Sequence, residues 1–297
     1  MRLATIVSGG CEEAAIATET GFVPLRLVNE AAGTKWSTRL LGLLSRGEAE
    51  ALEDWSRTEG AHLLRRLEAI PAAEAVFAPP YRYPRKIWGI GANYRAKAAD
   101  MKVTPPDAEP ICFLKPDTSL IGPGDAIVIP AGGGRVTAEA ELGIVIGQAC
   151  KNVAEAEAER FIAGFVPALD MTDQDIHARN PRFLGRSKCF DTFFSFGPEL
   201  VTPREISDPQ SLRVETVLNG RIVHGAFVSD MIYPLRQVVA YFSRMATLLP
   251  GDVIMTGTPG SVDIREGDVA ECRIGGFAGL VNPVEQEPEQ RLRVALS

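Results

Sequence analysis

The chain has 297 residues, 45% of them hydrophobic and 23% charged, which is the balance of an ordinary folded protein and excludes long disorder. That length allows one large domain with a smaller appendage, or two domains. A net charge of −7, from 31 basic and 38 acidic residues, argues against a general binder of nucleic-acid backbones. Small anionic ligands stay open, because a few local cations or a metal are enough to hold them.

Five cysteines (Cys11, Cys112, Cys150, Cys189 and Cys272) are scattered without a CxxC pair. An odd number at such spacings fits neither a zinc site nor a disulfide frame, so a reducing cytoplasm is expected. The start, MRLATIVSGG, has no basic segment leading into an apolar one and does not read as a signal peptide. No apolar run approaches the ~20 residues of a membrane helix, so no membrane partner is expected.

In chain order, RLATIV and EAAIATET read as two short strands turning at Ser8-Gly9-Gly10. Thr38 to about Leu67 turns helical, led by Leu40, Leu41, Leu43 and Leu44. FAPPYRYPRK, residues 77–86, holds three prolines and reads as a linker. It divides the chain into a small N-terminal α+β domain, 1–78, and a main domain, 79–297. KIWGIGANY is an apolar strand with a Gly-x-Gly turn. It has part of a dinucleotide fingerprint, but Tyr94 stands where the third glycine belongs, so tight-turn glycines are the better reading.

PICFLKP and DAIVIP are further short strands, and EAEAERFI (155–162) a short helix. GFVPALD ends a buried strand on Asp170, and MTDQDIHA then reads as a helical turn. DTFFSFGPELV resumes strand, and SLRVETVLNGRIVHGAFV is a hairpin about Asn219-Gly220. From Tyr233 to Leu249 a helix is expected. Pro234 suits its first turn, and Leu235, Val238, Val239, Phe242, Met245 and Leu249 keep helical spacing. DVIMTGTPG, DVAECRI and LVNPV close the chain as short strands. The balance is α+β and β-rich, on a rolled or barrel-like mixed sheet.

The chemistry gathers at VTAEAELGIVIG, residues 136–147. Period-2 alternation puts Ala138, Ala140, Leu142, Ile144 and Ile146 on one side. Glu139 and Glu141 share the other with Gly143, Val145 and Gly147. The pair is either a solvated strand face or half of an ion site. Asp170 is a candidate third ligand, and an all-oxygen set selects Mg²⁺, Mn²⁺ or Ca²⁺ over Zn²⁺.

The pieces GIGANY, FLKP, AEAELGIVIG, GFVPALDMTDQD, RSKCFDTFFSFGP, PGDVIMTGTP and GLVNPV follow in order from Lys86 to Val284. Together they resemble the fumarylacetoacetate hydrolase family. The resemblance implies that Glu139, Glu141 and Asp170 hold Mg²⁺ or Mn²⁺, and that the substrate is a small anionic 2-oxo or 2,4-dioxo acid. The metal acts as a Lewis acid on the enolate that forms when a C–C bond breaks. The resemblance also gives Lys188 charge on the substrate oxygen to hold, Thr258 the substrate carboxylate, and the whole protein a homodimeric state. C–C hydrolysis of an acylpyruvate-type substrate ranks first. Dehydration, isomerisation or decarboxylation of a 2-oxo acid, and an inactive metal-binding relative, are the alternatives.

Two departures matter. Family hydrolases carry His and Glu three residues apart after the NY pair, to activate water; here those positions hold Lys97 and Asp100. A lysine near its normal pKa is a poor base, so Lys97 is a desolvated base, an anion binder, or half of a surface ion pair with Asp100. The family's Arg-x-x-Gln pair reads Gln174 and His177. On a helical turn running from residue 170, Asp170, Gln174 and His177 share a face. His177 then either takes over acid–base work, with Arg179 or Arg186 supplying the missing cation, or hydrogen-bonds substrate as the glutamine would.

Overall fold

The computed structural model describes residues 1–100 and 109–288, with side chains omitted at 99 and 100. Its centre is an antiparallel pair of unusually long strands, Val136–Ile146 and Ile162–Asp173, paired along almost their full length. Every residue of the first is buried. A strand covered on both faces explains its near-continuous apolar composition.

On one side, Ile162–Asp173 pairs with Glu199–Val201, then Arg2–Ser8, Cys11–Thr18 and Gly21–Pro24. On the other, Val136–Ile146 pairs with Val253–Met255, then Ile87–Gly91 and Ile111–Lys115. The strand order is mixed and does not close into a barrel. A second sheet runs Arg221–Phe227, Arg213–Leu218, Val269–Ile274, Leu280–Gln286 and Ile127–Ile129. It packs against the long pair, with the Thr216 hydroxyl accepting from Ala140 N–H at 3.2 Å. Asn219 and Gly220 turn the hairpin with φ of 50° and 77°, as their side chains allow.

Helix Leu235–Met245 buries Leu235, Val238, Val239 and Phe242 in the larger core, where the Phe242 ring lies 5.1 Å from that of Trp88. It is shorter than the sequence suggests. Pro234 stays extended as the residue before the helix, and Ala246 is extended after it. Residues 155–161 form 3₁₀ turns, and a helix over Leu25–Ala32, with no expectation behind it, buries Leu25 and Val28. The Phe77–Ala78 strand pairs with Arg2–Ser8, which ties the proline-rich stretch to the N-terminal hairpin. Among the described residues, no helix is long and apolar enough to cross a membrane.

Candidate active site

Three strands lie side by side in register at the site. Asp170 stands opposite Glu139 on one side, and Ser261 stands opposite Glu139 on the other. Directly opposed residues of antiparallel strands project to the same face, and Glu141, two residues on, joins them. One carboxylate oxygen from each of Glu139, Glu141 and Asp170 lies within 4.8 Å of the others, and all three residues are buried. The alternation put the two glutamates on one side; Lys97, Lys188 and the Gly257 turn, with the segments that carry them, enclose that side.

Lys188 ends the short helix Leu184–Lys188 and reaches into the cluster. Its ammonium donates to Glu139 Oε2 at 3.0 Å, to Thr172 Oγ1 at 2.7 Å and to Asp170 Oδ2. Burial works against that charge, but Asp170 and Glu139 outweigh it and hold the pKa above the ordinary lysine value. Lys115, from the FLKP segment, lies behind and is fully enclosed. It donates to the carbonyls of Met171, Lys188 and Phe193, and its nitrogen stands 2.8 Å from Asp170 Oδ1. One side chain thus ties the strand carrying Asp170 to the helix carrying Lys188. Its burial outweighs Asp170 and lowers its pKa. The sequence reading quoted FLKP and assigned this lysine no role; only its three carbonyl partners reveal one.

The carboxylates are not equivalent. Burial pushes Glu139 up, yet Lys188 and Lys97 prevail and bring it to about 2. Burial, then Asp170 and Glu139, raise Glu141 well above the usual range, although Gly257 N–H donates to its Oε2 at 2.6 Å. Asp170 Oδ1 has the Lys115 ammonium as its polar neighbour, at 2.8 Å. Crowded carboxylates, one of them forced toward its neutral form, fit a hard divalent cation. With no sulfur or imidazole in the set, Mg²⁺ or Mn²⁺ suits it better than zinc.

A cavity of about 370 Å³ opens over this cluster. Lys97, Gln174, His177 and Thr258 line it, and Ile90, Ile111, Pro181 and Leu184 form an apolar wall. Lys97 does not hang in solvent. Its nitrogen donates to Ser261 Oγ at 2.6 Å and lies 3.4 Å from Glu139 Oε1. The Asp100 side chain lies outside the described residues, so its pairing with Lys97 is untouched by these contacts. Thr258 Oγ1 donates to Gly260 O at 3.0 Å, in the turn whose Gly257 holds Glu141.

The helical turn expected from residue 170 begins later. Ladder pairing keeps the chain extended to Asp173, opposite Val136, and Asp173 caps helix Gln174–Arg179 by accepting from Ile176 N–H. Asp170 therefore reaches the cavity from a strand, while Gln174 and His177 reach it from the first turn of a helix, three residues apart. Gln174 Nε2 donates to Thr137 Oγ1 at 2.9 Å. Burial, then Lys188, lower the His177 pKa below 6.5, so its imidazole is neutral at neutral pH. Arg186 is not brought to the cavity. It lies two residues before Lys188, about 200° away around the helix, and its guanidinium sits exposed, 5.9 Å from the Phe183 ring centroid. Arg179 is exposed as well.

Known proteins carry the same architecture. The family description fumarylacetoacetate (FAA) hydrolase C-terminal matches residues 86–285. The mitochondrial oxaloacetate tautomerase of Rattus norvegicus is 33% identical over 230 residues, which are 75% of this chain and 73% of that protein. The maleylpyruvate hydrolase of Sphingobium sp. SYK-6, solved with manganese(II) and pyruvate, superposes with a TM-score of 0.78 at 27% identity, covering 97% of this chain and all of that one. The 5-carboxymethyl-2-hydroxymuconate delta-isomerase of Mycobacterium smegmatis gives 0.74 at 29% identity over the same shares. The match across the region that holds the carboxylate cluster, the lysine bridging it and the cavity above makes the chain a member of the fumarylacetoacetate hydrolase family.

Proposed function

We propose that the protein is a divalent-metal-dependent enzyme that moves a proton at C3 of a small 2-oxo acid through its enolate, with keto–enol tautomerisation or isomerisation as the net reaction. The observation that carries this reading is Lys188 bridging Glu139 and Asp170 beneath a cavity that also holds a neutral imidazole. Glu139, Glu141 and Asp170 would hold Mg²⁺ or Mn²⁺. Such an ion supplies Lewis acidity to the 2-oxo oxygen as negative charge develops there.

The side chains do the rest. Lys188 offers a fixed positive charge that needs no reorganisation as the enolate forms. Thr258, in its tight turn, faces the substrate carboxylate. His177 takes the C3 proton on its unprotonated ring nitrogen and returns it, as a base with a pKa somewhat below neutrality can. Gln174, anchored on Thr137, orients the substrate. The tautomerase and isomerase among the similar proteins support this choice.

C–C hydrolysis, ranked first from sequence, becomes the second reading. Lys97 occupies the place of the water-activating histidine, and its nitrogen is engaged by Ser261 Oγ and Glu139. The apolar wall of the cavity favours keeping the reading, because it has room for the tail of an acylpyruvate.

The test is proton NMR in D₂O with Mg²⁺ on oxaloacetate and an acylpyruvate. Enolisation predicts metal-dependent deuteration at C3 above the buffer rate, slowed about 100-fold or more in His177→Gln. In the wild type the acid limb of the rate–pH profile lies below 6.5, and in the variant it is gone. Cleavage of the acylpyruvate into two acids, with no exchange preceding it, would establish hydrolysis instead.

A further inference from the structure

Gln174 and His177 line the cavity from a helix of six residues, Gln174–Arg179, which ends at the extended Asn180. A helix this short does not hold its shape alone. A turn far earlier in the chain holds it. Asp173 is 1% exposed and uses both of its carboxylate oxygens. Oδ1 accepts from Ile176 N–H at 2.9 Å, inside the helix, and Oδ2 accepts from Gly134 N–H at 3.1 Å. Two further bonds join the same segments. Gln174 N–H donates to Arg135 O at 2.8 Å, and Arg135 N–H donates to Asp175 Oδ2 at 3.0 Å.

The fit is close. A Cβ on Gly134 would lie 2.6 Å from the Asp175 Cβ, so a glycine lets turn and helix approach this far. The turn leads directly into Val136–Ile146, the strand that carries Glu139 and Glu141. The clasp therefore fixes the helix of His177 relative to the carboxylates. A helix cap needs one side-chain oxygen. The second oxygen, on Gly134, is what capping alone does not explain.

We propose that Asp173 is a positioning residue: by clasping the helix to the Gly134 turn, it sets the His177 imidazole over the reacting carbon without itself touching substrate. The proposal rests on the role of base given to His177 above.

The test is metal-dependent C3 deuteration of oxaloacetate, read above the buffer rate, with calorimetric binding of Mn²⁺ and oxalate alongside. Asp173→Ala should lower kcat about 10- to 100-fold, the cost of a misplaced base, and leave KM and both affinities within about 2-fold. Gly134→Ala strains the same clasp from the other side and should do likewise, so the test stands even if Asp173→Ala fails to fold. Asp173→Asn keeps an oxygen for the cap but cannot accept from both N–H groups, and should stay impaired. In a His177→Gln background, Asp173→Ala should cost no further rate, because both act through one ring. An equal loss in both backgrounds, full activity in Asp173→Asn, or Mn²⁺ and oxalate affinities that fall in step with kcat would overturn the assignment. Full activity in His177→Gln alone would instead remove the reading of the site, and this assignment with it.

Discussion

Replacing Glu141 with Gln removes a titratable group while keeping its shape, and it isolates the electrostatic conflict at the centre of the site. An ordinary glutamate titrates at 4.5; burial, Asp170 and Glu139 raise Glu141 well above that. Between 4.5 and that raised value the metal-free protein therefore holds a proton on this residue that the unfolded chain has lost. A group whose folded pKa is raised contributes stability that is complete below 4.5 and is lost as pH rises through the folded value. The slope in between is about 1.4 kcal/mol per pH unit for one proton. Metal ligation needs the carboxylate, so Mn²⁺ binding within that pH window must expel a proton. Calorimetric titration in two buffers of different ionisation enthalpy counts it, and urea unfolding at pH 5, 6 and 7 follows the stability. In Glu141→Gln the proton release falls to near zero. The stability gap between variant and wild type widens in the variant's favour as pH rises, and Mn²⁺ affinity drops at least ~100-fold, since even outer partners of metal ligands are worth ~10–100-fold. A wild type that releases no proton, or a stability gap independent of pH, would refute the reasoning.

Gly257 holds Glu141 through its N–H with a φ of 101°, and a Cβ there would lie 2.7 Å from the Asn93 Cβ. Asn93 cannot yield, because it is buried and bonded to Thr256 and Tyr233. Gly257→Ala should cost about 1–3 kcal/mol of stability and weaken Mn²⁺ binding; an unchanged Tm would contradict the geometry. We also propose that the protein is a homodimer through the outer strand Arg221–Phe227, which bears Ile222 at 51% and Phe227 at 46% exposure on a sheet edge that no other described strand covers. Sedimentation should give a dimer for the wild type and a monomer for Ile222→Glu/Phe227→Glu; a monomeric wild type would exclude it.

What could be read from the amino-acid order was whatever is periodic or local. Alternation in VTAEAELGIVIG places Glu139 and Glu141 on one side of a strand, Asn219-Gly220 turns its hairpin, and the Leu235–Phe242 spacing makes a helix. Period 2 says which side chains share a side; it does not say whether that side meets water or the rest of the fold. Burial of the glutamates, and the register that sets Asp170 and Ser261 against Glu139, depend on strands far apart in sequence and were decided by packing. The same holds for the start of the helix at Gln174. Local pattern allowed a turn from residue 170, but the ladder with Val136–Ile146 held the chain extended for three more residues. Helix geometry alone turned Lys188 inward and Arg186 outward. Lys115 and Lys97 are single lysines in sequence; they acquired their places only when carbonyls from three segments closed around one and Ser261 was brought beside the other.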